Sequence, residues 1–442
     1  MSGAVKALTG GAALALLALP RPASAAVDSG DTAWILVATA LVLFMTLPGL
    51  ALFYGGLVRS KNVLSVLMQC LVLASMLSVL WLVAGYSLSF SSGPGALDAL
   101  VGGLGKAFLN GVSPASVEGT IPEVLFFAFQ MTFAVITPAL IVGAFVERMR
   151  FAAVLAFSAL WLVVVYAPIC HMVWGGGLFA QWGVFDFAGG IVVHITAGVA
   201  ALVTCIVVGT RSGYPRVAMP PHNLTLTFAG TAMLWVGWFG FNAGSALGAN
   251  GDAAMALVVT HISASTATLT WMSIEWIRHG KPSLLGAATG AIAGLAAVTP
   301  ASGYIGPLGG LAIGLASGAL CWWASTVLKF RLGYDDSLDV FGVHGVGGFV
   351  GTVLAGVFAA SALGGNQAGL AIGPQVGLQL GAALLAAAYT ALATWVILKL
   401  VGSFTALRID EAGESQGLDL AEHDEAGYTL GDFMPGVRAS GE

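Results

Sequence analysis

Charge is what this chain has least of. Only 8% of its 442 residues are Asp, Glu, Lys or Arg, with 16 basic and 21 acidic side chains. A soluble domain carries about 25%. That shortage excludes an ordinary water-soluble fold, and no nucleic-acid partner is expected. Cysteine is also scarce. Cys70, Cys170, Cys205 and Cys321 lie inside apolar runs at unrelated spacings, which is neither a disulfide framework nor a metal site. The net charge of −5 says little, because in a membrane protein the placement of charge matters more than its sum. What fills the chain instead is apolar: 58% hydrophobic residues, 61 glycines and a mean hydropathy of +0.92. Glycine in this abundance suits close packing of helices in lipid. The composition is that of an all-α integral membrane protein.

Residues 1–25 read as a secretory signal peptide. Lys6 supplies a weak basic start, Ala12–Leu19 a short apolar core, and Ala23-Ser24-Ala25 a small-residue cleavage site. The mature N-terminus is then outside. After it the basic residues fall in clusters: Arg59/Lys61, Arg148/Arg150, Arg211/Arg216, Arg278/Lys281, Lys329/Arg331 and Lys399/Arg408, with Arg438 in the tail. One apolar run, 32–57, precedes the first cluster. Two lie between each successive pair: 62–90 and 120–146, 151–175 and 188–209, 223–248 and 252–277, 283–299 and 305–328, 339–362 and 372–400. Basic residues prefer the cytoplasmic side. The expectation is 11 transmembrane helices, N-terminus outside and C-terminus inside, over residues 26–408, followed by a polar cytoplasmic tail at 409–442. Lys106, in the loop 91–119, is the sole basic residue on the outer side.

Two ionisable patterns stand out inside the apolar runs. One is Asp186-Phe-Ala-Gly-Gly-Ile-Val-Val-His194, the other Asp336-Ser-Leu-Asp-Val-Phe-Gly-Val-His344. Both read Asp-x7-His followed by small residues. An ionisable group at membrane depth is expensive and points to function. The helix count puts His194 in the fifth span and His344 in the tenth, running in opposite directions. Eight helical residues cover about 12 Å, so each His reaches toward the middle of an apolar layer about 30 Å thick. Spans 1–5 and 6–10 thus read as an inverted repeat, which places a site at the midplane. A lone His in an apolar span is more often a satisfied core group, and His261 is expected to be one. His171, His222, His279 and His423 are expected to be solvated.

At this point the chain resembles the Amt/Mep/Rh ammonium transporters, on the Amt side, over nearly its whole length. The resemblance rests on Phe53-Tyr-Gly-Gly-Leu-Val-Arg59, Phe129-Gln130 with Phe133, and His171-Met-Val-Trp174-Gly-Gly-Gly177. It continues through the segment from Asp186 to His194, Trp238-Phe-Gly-Phe241-Asn-Ala-Gly-Ser245, Gly286 to Thr299-Pro300, and Asp339-Val-Phe-Gly-Val-His344-Gly. It implies eleven helices with inverted halves, a homotrimer in the inner (cell) membrane, and one conduction path per subunit. It also implies site residues. Phe133, Trp174 and Ser245 would form an outer cation site, Phe133 and Phe241 a phenyl gate, and His194 and His344 the paired pore histidines. Asp186 would support the outer site without lining the path; Trp238, Thr299 and Val340 would be lesser lining positions. A PII-type nitrogen-regulatory protein would bind the cytoplasmic face. Two departures stand against the pattern. Pro138 interrupts span 3, where it is expected to remove a helix hydrogen bond and kink the span. The tail, from Gln416 to Tyr428, matches only in part.

The residue types suit ammonium. Ammonium resembles potassium in charge and size, but it donates hydrogen bonds and can lose a proton. Aromatic faces attract a cation by roughly 0.5–2 kcal/mol each, and the Ser245 hydroxyl accepts an N–H bond. A dry bore beyond them then favours the neutral amine. Two neutral imidazoles sharing one hydrogen bond can bond ammonia in turn or relay a proton. The competing classes are an ammonium sensor signalling through its cytoplasmic face and an intramembrane metal enzyme. The second requires further convergent ligands, so no enzyme activity and no cofactor are expected.

Overall fold

The structure is a computed structural model that describes residues 27–428. The expected signal peptide and the last fourteen positions of the tail lie outside the described residues. Among the described residues every long apolar run is helical, as it must be where lipid offers no partner for a backbone N–H or C=O. The helices are α1 Ser29–Leu57, α2 Ser60–Phe90, α3 Glu123–Phe145, α4 Phe151–Trp182 (broken at 175–177), α5 Gly190–Val208, α6 Leu224–Gly244 and α7 Gly251–His279. Then come α8 Leu284–Val298, α9 Pro307–Leu332, α10 Phe341–Phe358 and α11 Ile372–Phe404. Ten of these are long and apolar enough to cross a membrane; α8 is apolar but shorter.

The two halves pack alike. α2 lies on α3 as α7 lies on α8, α3 on α5 as α8 on α10, and α1 on α3 as α6 on α8. α1 meets α6 and α5 meets α10 at the centre, while α11 covers α4, α5 and α10 from outside. Local geometry repeats too. Wide π-type turns interrupt α4 at Leu162–Tyr166 and α9 at Ala324–Leu328, and they open α5 at Gly190–Ile195 and α10 at Phe341–Gly345. The last two carry His194 and His344. The close approach of α5 and α10 requires glycine. A Cβ on Gly198 would lie 2.2 Å from the Gly345 backbone nitrogen.

α3 carries Pro138 within one continuous helix, and the Thr137 hydroxyl donates to the Phe133 carbonyl one turn back, at 2.7 Å. Two sequence expectations need correction. His261 is exposed on the outer face of α7 beside Trp235 and Phe239, not in the core. His171 is buried, its ring nitrogens 3.0 and 2.6 Å from the carbonyls of Ser89 and Asp98, because the loop after α2 folds down over it. The described part of the tail packs back onto the helices. It forms α12 Glu411–Gln416 and α13 Leu418–His423. Asp419 accepts the Leu64 and Ser65 amides at the start of α2, and Lys61 donates to the Glu414 and Ser415 carbonyls.

At one end of the helices a buried charge cluster ties the connecting loops together. Arg211 pairs with Asp335 and Glu147, Arg59 with Glu147, and Arg148 donates to the carbonyls of Ala144, Gly209 and Asp335. Burial pushes both carboxyls up, but Arg59 and Arg211 hold Glu147, and Arg211 and Arg148 hold Asp335, below the usual carboxylate range.

Candidate functional site: a gated apolar path

Asp186 is the residue from which the site is built. Its carboxylate accepts four consecutive backbone N–H groups, from Gly189, Gly190, Ile191 and Val192, at 2.5–3.1 Å. Those are the orphan donors at the start of α5. The acid is therefore consumed in capping the helix that carries His194. Its backbone carbonyl accepts the Trp174 indole N–H at 2.8 Å, so one residue fixes both the outer ring and the inner imidazole. At the repeat position, Asp336 accepts the Phe341 amide at 2.7 Å and starts α10.

Trp174 and Ser245 line an outer vestibule of about 290 Å³ together with Phe126, Phe187, Gln130 and Glu118. The Ser245 hydroxyl donates to the Phe241 carbonyl at 2.9 Å, which leaves its lone pairs as acceptors. Below it the way is shut. Phe133 and Phe241 face each other with centroids 4.3 Å apart, and each is 1% exposed. Trp174 meets Phe133 edge-on, with centroids 5.8 Å apart.

Past the phenyl pair is a narrow bore lined by Ile136, Leu140, Val193, Leu234, Ile292, Trp238 and the two histidines. Its volume of about 10 Å³ is at the threshold for one water-sized molecule. His194 and His344 approach Nδ1 to Nδ1 at 3.2 Å, with rings inclined by 21°. One of the two nitrogens must carry the proton and the other accept it. The Nε2 atoms are then inequivalent, one a donor and the other an acceptor. His194 Nε2 has no partner among the described residues. Phe241 and Trp238 stack along the His194 ring at 6.0 and 5.6 Å. Trp238 is held in place by an indole bond of 2.9 Å to the Thr299 hydroxyl. His344 also opens on an inner vestibule of about 240 Å³, with Val343, Asp339, Glu275 and Arg211 in its wall.

Each residue singled out in the sequence can now be placed. Phe133, Trp174, Ser245, Phe241, Trp238, His194 and His344 lie along this one path. Asp186 and Thr299 act one layer behind it. Val340 packs against Gly143, and it is Val343 that faces the vestibule beyond His344. The apolar bore residues give no sequence signal, being Ile, Leu and Val in runs full of them. Gln130 does give one: it is a polar side chain within an apolar span. Among the described residues no three His, Cys, Asp or Glu side chains converge to hold a metal.

The model of the Ammonium Transporter Family matches residues 33–428. The ammonium transporter of Bacillus subtilis (strain 168) is 48% identical over 404 residues, covering 90% of this chain and 98% of that protein. The ammonium transporter Amt1 of Archaeoglobus fulgidus is 43% identical, covering 91% of this chain and all of its own length. Among solved structures, Mep2 of Candida albicans superposes with a TM-score of 0.80 at 36% identity, covering 87% of each chain. A structure titled Sensor Amt Protein gives 0.83 at 28% identity, covering 89% of this chain and 98% of its own. With its path, its paired histidines and these likenesses end to end, the chain belongs to the ammonium transporter family.

Proposed function

We propose that the protein takes ammonium from the outer vestibule, passes its proton at the phenyl gate to vestibule water or to the imidazole relay, and conducts ammonia past His194 and His344 to the cytoplasm. The observation that carries this reading is the order of environments. An aromatic, hydrogen-bonding mouth leads into a bore with no charged side chain and room for one small molecule. A cation that cannot shed its charge loses its hydration there without repayment; ammonium can leave its proton behind. The imidazole pair supplies one donor and one acceptor to a passing ammonia, or a relay for the proton. In this reading eleven helices span the inner membrane, N-terminus outside after removal of residues 1–25, and three copies assemble as a homotrimer. The test is purified protein in liposomes carrying an ammonium gradient, with lumenal pH and current recorded together. Protein-dependent flux is expected, and its absence in correctly oriented vesicles would sink the proposal.

A second reading, an ammonium sensor, is favoured by the docked tail, which touches the starts of α2 and α4 and the loop after α5. That same face is the surface proposed to receive a PII-type nitrogen-regulatory protein. Pull-downs with and without residues 409–442 test it; no binding in any nucleotide state removes that partner.

A further inference from the structure

The outer vestibule holds two polar side chains that the aromatic mouth does not account for. Glu118 sits in the hairpin of β1 Val117–Glu118 and β2 Ile121–Pro122, at the vestibule wall. It is exposed, and among the described residues it makes no ion pair. The hairpin is not loose. Thr120 donates to Asp31 and accepts the Asp28 amide at 2.8 Å, and Asp31 in turn accepts the Ala249 amide at 2.7 Å. These bonds fasten Glu118 to the start of α1 and to the loop that carries Ser245 and Leu247. Lys106, the nearest candidate partner in sequence, is already committed to Glu123.

Gln130 is the second. It is one turn before Phe133 on α3, lines the same vestibule as Trp174 and Ser245, and is 7% exposed. Among the described residues its amide oxygen is buried without a hydrogen-bond partner. Leaving such an acceptor unmade costs about 1–3 kcal/mol. Such a group calls for a partner, and in a vestibule a bound donor can supply it.

We infer that Glu118 and Gln130 are recruiting and specificity-determining residues for a small cation that donates hydrogen bonds: Glu118 draws it to the rim, and Gln130 accepts an N–H from it beside Ser245. The inference rests on the transport reading and adds the residues that set its apparent affinity. The carboxylate acts through its field, so its effect is screened by salt. The Debye length falls from about 30 Å at 0.01 M to about 8 Å at 0.15 M. The amide acts through contact, and its effect is not screened.

The test is ammonium-dependent flux in liposomes at those two ionic strengths, for wild type, Glu118→Gln and Gln130→Leu. Glu118→Gln is expected to raise the half-saturating ammonium concentration about threefold at low salt and by much less at high salt, with maximal flux unchanged. Gln130→Leu is expected to raise it about three- to tenfold at both. Half-saturation at the wild-type value in either variant overturns that residue's role, as does a fall in maximal flux alone, which marks a merely structural effect. Glu118 is exposed and unpaired, so its variant keeps the test independent of folding. Wild-type protein that shows no ammonium flux overturns the transport reading itself, an outcome distinct from normal transport with unchanged variants.

Discussion

Replacing Asp186 by Asn changes one oxygen into an NH2 group. In the native structure Oδ1 accepts Gly189 and Gly190, and Oδ2 accepts Ile191 and Val192. Asparagine keeps one acceptor and points donors at the two remaining N–H groups. A hydrogen bond to a charged group contributes about 1.5–3 kcal/mol, so losing two costs about 3–6 kcal/mol locally. The start of α5 is then free to unwind. His194 is the fifth residue of that helix, and the Trp174 indole is anchored on the Asp186 carbonyl. Misplacement of about 1 Å in a positioned group can cost about 100-fold. The expected outcome is a loss of ammonium flux of about 10- to 100-fold in liposomes, together with a lower thermal midpoint in detergent. Asp186→Glu, which keeps the charge but lengthens the reach, is expected to fall between. An Asn variant with wild-type flux and wild-type melting would refute the assignment of Asp186 as the cap that aligns both ends of the path.

Other outcomes follow from the same geometry. Gly198→Ala puts a methyl 2.2 Å from the Gly345 backbone, where no side chain can move aside; a cost of at least about 1–3 kcal/mol and a wider histidine spacing should appear as lower melting and lower flux, and retention of both contradicts it. Trp174→Leu removes one cation-binding face of about 0.5–2 kcal/mol, so half-saturation should rise about two- to thirtyfold; unchanged affinity and selectivity would make Trp174 a packing residue only. Because Glu147 and Asp335 are held below the usual carboxylate range by their arginines, their contribution to stability is complete above about pH 4. It is lost as pH falls through their depressed values. Asp335→Asn should lower the melting point at pH 7 and flatten its decline in acid; an identical acid profile tells against the cluster.

Much of the architecture was legible because lipid leaves few choices. The run 372–400 emerges as Ile372–Phe404 and the run 188–209 as Gly190–Val208. The meeting of His194 and His344 could be anticipated because two Asp-x7-His segments in opposed helices reach the same depth. What escaped the sequence depends on side-chain direction. Nothing in the letters says that all four contacts of Asp186 go to its own helix, or that Val343 rather than Val340 turns inward. The burial of His171 has no sequence signal, because its partners are backbone carbonyls, which carry no residue signature. Nor has the exposure of His261, because an apolar span can face lipid as well as core. The docking of the tail is equally silent, since a capping Asp419 is indistinguishable in sequence from any other acidic residue.

The central claim is that the paired imidazoles and the dry bore around them admit ammonia and refuse intact cations. It is tested most directly with ammonium and potassium currents measured side by side in liposomes, for wild type and His194→Ala/His344→Ala. Removing both rings widens the bore past the phenyl pair, which now holds about 10 Å³. With water admitted, a cation no longer sheds its hydration in an apolar medium. Wild type should carry ammonium and exclude potassium, and the double variant should leak potassium. A double variant that transports ammonium at the wild-type rate and still excludes potassium would contradict the claim, leaving the phenyl pair to select alone.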